Sequence, residues 1–186
     1  MALDKNKLKQ NLTDNFETIR ENGATEKESA DGLAQAIVDY AKDAEVIITV
    51  PPFTPGTPPV PKVSVVGKKV KVSGIDVGKQ ALVSQIMASF KLMDPTMNLI
   101  SLSIVTFAAL MLNFRKGTII AVGATLMVVP PIFLPSTKKG MDGGSIGDVC
   151  NEMAKAIDTS FKSSMFTGTV IAGSAVIPAP LIGTLV

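Results

Sequence analysis

Few side chains of this chain could carry out chemistry. Histidine is absent from all 186 residues, which removes the commonest general base and the imidazole that most often binds metals. The single cysteine, Cys150, permits neither an internal disulfide nor a zinc site built from several thiolates. We expect this cysteine to be a small buried apolar residue on a helix face. Neither a Ser-His-acid nor a Cys-His arrangement can form, so the usual routes to nucleophilic catalysis are excluded.

Carboxylates are the remaining candidates for catalysis. Asp142 lies in a glycine-rich loop and Asp148 lies beside a predicted helix start, where capping explains the acidic residue. No pair of acids falls on an apolar face, where a raised pKa would make one of them useful as a general acid. The loop 140–147 lacks the Gly-Lys-Ser/Thr ending of a phosphate-binding loop. We therefore expect that the chain is not an enzyme, that it has no catalytic, cofactor-binding or metal-binding residue, and that it has no small-molecule substrate.

Composition narrows the range of partners. Hydrophobic residues make up 46%, aromatic residues only 5%, and tryptophan is absent. The formal net charge is +2, and the lysines recur singly or in pairs without interleaved aromatics. Affinity for nucleic acid depends on clustered cations, so nucleic acid is not expected to be the main ligand. Small aliphatic residues and nine methionines favour packed helices and contacts between subunits.

The first part of the chain predicts two helices followed by extended structure. Residues 4–20 have an apolar residue at every third or fourth position, and Thr25 with Glu28 forms a capping-box pattern that starts a second helix. Residues 46–50 are a predicted strand. The six prolines of residues 51–61 predict an extended surface arm outside the sheet. A hairpin is expected next, with its turn at Gly67-Lys68 and alternating valines on either side.

The second part repeats this order. Helices are predicted at 79–93 and, after the restart signal Asp94-Pro95, up to residue 113. Residues 118–134 are rich in β-branched residues. Ser145 is expected to cap a third helix that ends near residue 161, and residues 166–186 to form an extended tail. The predicted domains are residues 1–76 and residues 77–186.

Internal similarity supports this division. Two sets of three apolar residues, the trios, have the same four-residue spacing, and a Val-Pro-Pro-apolar segment follows each set further along the chain. A shorter similarity, the short echo, relates residues 33–37 to 153–157 and residues 58–61 to 178–181. The trios are Leu8, Leu12, Phe16 and Leu82, Ile86, Phe90; the segments are Val50-Pro51-Pro52-Phe53 and Val129-Pro130-Pro131-Ile132. We predict an α+β fold of two weakly duplicated helix-hairpin units, each followed by extended or β segments, with a short third helix and an extended C-terminal tail.

Residues 97–114 and 118–134 contain no charge. A membrane-active protein that inserts residues 97–134 as an apolar hairpin is therefore an alternative. Polar residues dilute the first stretch and Pro130-Pro131 interrupts the second, so we favour burial of this region by protein, with a partner subunit as its cover. Residues 1–21 are charged and lack the apolar core of a signal peptide, which predicts synthesis in the cytoplasm.

Taken together, the charged helix with a phenylalanine, the helix segment 34–40 (Ala-Gln-Ala-Ile-Val-Asp-Tyr) and the tail segments 168–170 and 182–184 (Gly-Thr-Val and Ile-Gly-Thr) resemble small virion structural proteins of large contractile-tailed bacteriophages. The resemblance implies a non-enzymatic subunit of a tail, baseplate or neck, located in the virion, with itself or other virion proteins as partners. An intracellular adaptor is a further alternative. The expected contact residues come from the proline-rich arm, the uncharged helix and the tail: Pro51, Pro52, Phe53, Pro55, Pro58, Pro59, Ile104, Phe107, Met111, Phe114, Ile177, Pro178, Pro180 and Leu181.

Overall fold

The computed structural model describes residues 3–53, 63–71, 75–91, 115–116, 119–127, 144–172 and 179–186. Within these residues the chain is of the α+β class, as the sequence predicts. The helices are α1 (Lys5–Asn22), α2 (Glu26–Lys42), α3 (Lys79–Lys91), preceded by a 3-10 turn (Ile75–Gly78), and α4 (Ile146–Lys162). The strands are β1 (Glu45–Phe53), β2 (Val63–Lys71), β3 (Arg115–Lys116), β4 (Ile119–Met127), β5 (Met165–Ala172) and β6 (Ala179–Leu185).

The strands form one antiparallel sheet in the order β2-β1-β6-β5-β4-β3. Strand β6 lies between β1 and β5, so both predicted domains contribute strands to the same sheet. The C-terminal segment that is predicted to be an extended tail contains β5 and β6, which are inner strands of this sheet. Pro180 and Leu181 pair with Thr169 and Gly168 of β5.

The first prolines of the predicted arm belong to the sheet instead. Strand β1 continues through Phe53, which pairs with Val63. Pro51 and Pro52 together lie opposite the single residue Ser64, which is a β-bulge, one of the few places where a strand accepts proline. On the other side of β1, the pairing with β6 ends at Thr49 and Ile182. Proline has no N–H to donate, which explains why this ladder stops before Pro51.

The predicted turn at Gly67-Lys68 is also wrong. Strand β2 runs without interruption from Val63 to Lys71, and Val66 with Gly67 lies opposite the single residue Thr49 in a second bulge. The partner of β2 is the long strand β1, so the valines on both sides of the glycine lie along one strand. Local alternation alone does not distinguish a bulge from a tight turn.

The helices cover one face of the sheet. In β1 the side chains of Val46, Ile48 and Val50 are buried, whereas Thr49 between them is exposed. Burying each large aliphatic side chain contributes about 1.5–3 kcal/mol. The helix layer supplies the other half of the core: Leu8 and Leu12 of α1, Leu33, Ile37 and Tyr40 of α2, Leu82 and Ile86 of α3, and Met153, Ile157 and Phe161 of α4.

Helix α1 packs between α2 and α4, and α3 packs on α2. The capping box of Thr25 and Glu28 is present as predicted. The predicted helix at 79–93 is confirmed as α3, which ends at Lys91. The predicted superposition of residues 4–43 on 79–113 involves residues 92–113, which lie outside the described residues.

Helices α2 and α4 correspond closely to each other. Each has 17 residues, and each is preceded by a hydroxyl residue, Thr25 or Ser145, whose side chain accepts from a backbone N–H three residues later. Each ends at a residue with nearly the same right-handed backbone, Asp43 (φ −84°, ψ −3°) or Ser163 (φ −83°, ψ −6°). One further residue leads into β1 or β5. The short echo between 33–37 and 153–157 lies at matching positions of these two helices.

Candidate assembly surface

A buried polar cluster joins α2 to α4. The Tyr40 hydroxyl donates to Asp158 Oδ1 at 2.7 Å, and the two residues are 1% and 8% exposed. Lys162 Nζ, one turn further along α4, lies 2.9 Å from Asp158 Oδ1 and donates to Oδ2 at 3.0 Å. The Tyr40 and Phe161 rings meet edge to face with centroids 5.6 Å apart. The Asp158 carboxylate therefore has a hydrogen-bond donor from one helix and a cation from its own.

This cluster is suited to structure and unsuited to catalysis. Burial, followed by the hydrogen bond to Asp158, raises the pKa of Tyr40 far above its ordinary value of 10.0. The phenol therefore stays a protonated donor and does not act as a base or nucleophile near neutral pH. The Tyr40–Asp158 hydrogen bond is a direct link between α2 and α4, the two helices on either side of α1.

The other candidates for chemistry also have structural roles. Cys150 is buried as predicted, and burial raises the pKa of its thiol, which keeps it protonated and unreactive. Ser145 caps α4, as predicted, and Asp148 takes part in the cap: the Asp148 N–H donates to Ser145 Oγ at 3.2 Å, and Asp148 Oδ2 accepts from that hydroxyl at 2.6 Å. Asp142 lies outside the described residues. In the described part of the chain, no group of three or more His, Cys, Asp or Glu side chains could hold a metal ion.

Ion pairs tie the helix layer together at its rim. Lys7 of α1 reaches Asp43 at 2.5 Å, and Lys79 of α3 reaches Asp31 of α2 at 3.0 Å. The hydrogen bond to Asp43 is the main reason that the pKa of Lys7 is raised. Because these lysine side chains are partly or well exposed, solvent screens the pairs and each contributes little to stability. They connect neighbouring helices of the layer.

The face of the sheet opposite the helices is open in the described part of the chain. The register aligns Lys69, Ile47, Thr184 and Met165 in one row across β2, β1, β6 and β5. Met165 is 44% exposed. We call this surface the open face; its residues are Ile47, Thr49, Lys69, Met165, Thr167, Thr169 and Thr184.

Threonine is common on the solvated side of an antiparallel sheet. The open face therefore offers a pleated surface of β-branched residues with apolar side chains interspersed, which is suited to contact with another protein. This surface was not predicted from the sequence, because residues 166–186 were expected to form an extended tail. The alternation Phe166, Thr167, Gly168, Thr169 was the available signal, since only the even positions turn toward the helices.

The predicted contact residues are only partly within the described structure. Pro51, Pro52 and Phe53 lie at the end of β1, with Pro52 exposed, and Pro180 and Leu181 lie in the adjacent strand β6. The structure thus brings these two groups to neighbouring strands. The others lie outside the described residues: Pro55, Pro58, Pro59, Ile104, Phe107, Met111, Phe114, Ile177 and Pro178.

Among the described helices, none is both long and apolar enough to cross a membrane; the uncharged stretch 97–114 is not among them. Comparison of the chain with protein-family models, with curated proteins and with solved structures found no match.

Proposed function

We propose that this chain is a non-enzymatic structural subunit of a bacteriophage particle, a component of the tail, baseplate or neck that acts through oligomeric assembly. The observation that carries the proposal is the open face: a broad antiparallel sheet whose helices, in the described part, cover one side only. A sheet of this width presents an area suited to a neighbouring subunit. The resemblance to small virion proteins supplies the particle as its context.

We also infer that the sheet is built from a repeated helix–strand–strand unit, with α2–β1–β2 and α4–β5–β6 as two copies. Their helices agree in length, capping and exit geometry. In addition, the first strand of each copy pairs with a strand outside its own unit. In one such joint β1 pairs with β6, the second strand of the β5–β6 hairpin, and in the other β5 pairs with β4, the second strand of the β3–β4 hairpin. Leu185 lies opposite Val46 in one joint, and Leu126 lies opposite the corresponding residue, Phe166, in the other.

Repeated units that join by strand pairing support an assembly role, because the same kind of contact can hold separate chains together. The repeat as first predicted, between residues 4–43 and 79–113, remains a prediction. Superposition of both helix pairs in a structure that describes residues 92–113 would test it.

Fractionation of infected cells tests the proposed function. Particles are banded on a density gradient, washed with high salt and detergent, and identified by electron microscopy, and the chain is detected in every fraction by peptide mass spectrometry. We expect the chain in the washed particle band. Recovery with membranes would favour insertion of residues 97–134 into a bilayer. Recovery only in the particle-free soluble fraction, bound to other proteins, would favour an adaptor. Either result overturns the proposal.

A further inference from the structure

The two edges of the sheet are protected to different degrees. Strand β2 carries Lys68, Lys69 and Lys71 and contains the bulge at Val66. Lysines and bulges are common devices that prevent an edge strand from pairing with another chain. The edge at β2 is therefore protected against strand addition.

The other edge carries such devices over only part of its length: β3 consists of Arg115 and Lys116, and the register of β4 with β5 shifts between Ala121 and Gly123. Strand β3 has only two residues, and they pair with Ile119 and Ile120 of β4. Residues 123–127 of β4 pair regularly with β5 on one side. On the other side no strand within the described residues pairs with them. This segment, Gly-Ala-Thr-Leu-Met, contains neither charge nor proline. The N–H and C=O groups on its outer side, which pair with nothing in the described part of the chain, therefore form a template for another strand.

We propose that residues 123–127 pair antiparallel with the same residues of a second copy of this chain, about a two-fold axis at Thr125. In this arrangement residue 123 lies opposite residue 127 of the second copy, and no charged residue is brought into the new pairing. Both outer edges of the joined sheet are then β2 strands, which carry the lysines. In this closed dimer residues 123–127 are paired on both sides, so the sheet cannot extend further through them.

The alternative pairing between copies joins β2 of one to β4 of the next. It would place Lys68, Lys69 and Lys71 along a segment that has no acid to pair with them. It would also leave one edge of each kind open, which leads to a filament or a ring. Charge and closure both favour the two-fold arrangement. The inference deepens the proposed assembly function by naming the partner strand, and it rests on that function for its role in a particle.

A single cysteine tests the axis directly. A residue on a two-fold axis lies opposite itself, with Cα atoms about 4.5–5.5 Å apart, which is within the range of a disulfide. The full chain with Thr125→Cys, mildly oxidised, should form a covalent dimer with twice the mass of 19.5 kDa. Wild type should not, because its only cysteine is buried. The matched control is Val66→Cys on the β2 edge, where the side chain is 79% exposed.

Light scattering after size exclusion, without detergent, gives a second measurement. Wild type should have the mass of a dimer, and Thr125→Lys should have the mass of a monomer, because like charges directly opposite each other are unfavourable. Circular dichroism should show that the Thr125→Lys monomer is folded. A monomeric wild type, or cross-linking of Val66→Cys as efficient as that of Thr125→Cys, would overturn the proposal. If the chain is nevertheless found in washed particles, only the strand pairing is wrong; a dimer that is absent from particles would overturn the proposed function alone.

Discussion

Removing one hydroxyl group tests the contact between α2 and α4. The variant Tyr40→Phe keeps the ring and therefore its edge-to-face contact with Phe161 at 5.6 Å. It deletes only the group that donates to Asp158 at 2.7 Å. Any loss of stability is then due to the hydrogen bond rather than to packing.

The magnitude follows from the surroundings of the carboxylate. A hydrogen bond to a charged acceptor contributes about 1.5–3 kcal/mol. Asp158 is 8% exposed, which favours the upper part of this range, but Lys162 remains bonded to it, which limits the penalty of an unpaired charge. We expect Tyr40→Phe to lower the free energy of unfolding by about 2 kcal/mol, equivalent to about 4–8 °C in Tm for a chain of this size.

Urea denaturation followed by far-ultraviolet circular dichroism measures this change, since the variant has no tyrosine left to follow. A double-mutant cycle with Asp158→Ala isolates the pair, and the coupling energy should be close to 2 kcal/mol in magnitude. A coupling below about 0.5 kcal/mol, within the error with which independent sites add, would refute the reasoning.

Three further predictions concern pH, helix spacing and capping. The pKa of the single tyrosine is raised in the folded state from 10.0. Above about pH 10 the unfolded chain therefore holds fewer protons than the folded one. As a result, the free energy of unfolding should fall there by up to about 1.4 kcal/mol per pH unit. Tyrosinate absorbance should therefore appear together with unfolding; ionisation of the folded protein near pH 10 would contradict this. A Cβ at Gly32 would lie 1.6 Å from Nδ2 and 2.6 Å from Cγ of Asn15, so Gly32→Ala forces the Asn15 side chain to move, which offsets the roughly 1 kcal/mol that alanine gains over glycine within a helix. Gly147→Ala, where the nearest atom is 3.9 Å away, should therefore be the more stabilising of the two in thermal unfolding, and equal effects would count against the close packing of α1 and α2. Thr25→Ala and Ser145→Ala should each lower the free energy of unfolding, measured by urea denaturation, by about 1 kcal/mol. A loss at only one of the two caps would contradict the correspondence of α2 and α4.

The elements that the sequence predicts correctly are those with local causes. The capping box at Thr25 and Glu28 and the cap at Ser145 define helix starts through hydrogen bonds that span only three residues. The spacing of Leu8 and Leu12 identifies the buried side of α1 in the same way. The predicted burial of Cys150 on a helix face is also confirmed.

The topology of the sheet depends on distant parts of the chain and was not predictable by the same means. Strand β6 pairs with β1 across most of the sequence, and no pattern within residues 166–186 indicates that partner. The prolines at 51 and 52 suggested an arm because bulges are set by the register with β2 and leave little trace in one strand alone. The open face was not predictable for the same reason, because its rows of neighbouring side chains come together only when the four strands β2, β1, β6 and β5 are aligned.

The number of copies of this chain in each purified particle tests the proposed assembly role most directly. Quantitative mass spectrometry with isotope-labelled peptides of this chain, calibrated against particles counted by electron microscopy, gives that number. If the chain is a structural subunit of the particle, this number should be the same in every preparation and should be a multiple of the symmetry of the tail, baseplate or neck that contains it. A value well below one copy per particle, or one that falls with each wash, would contradict it.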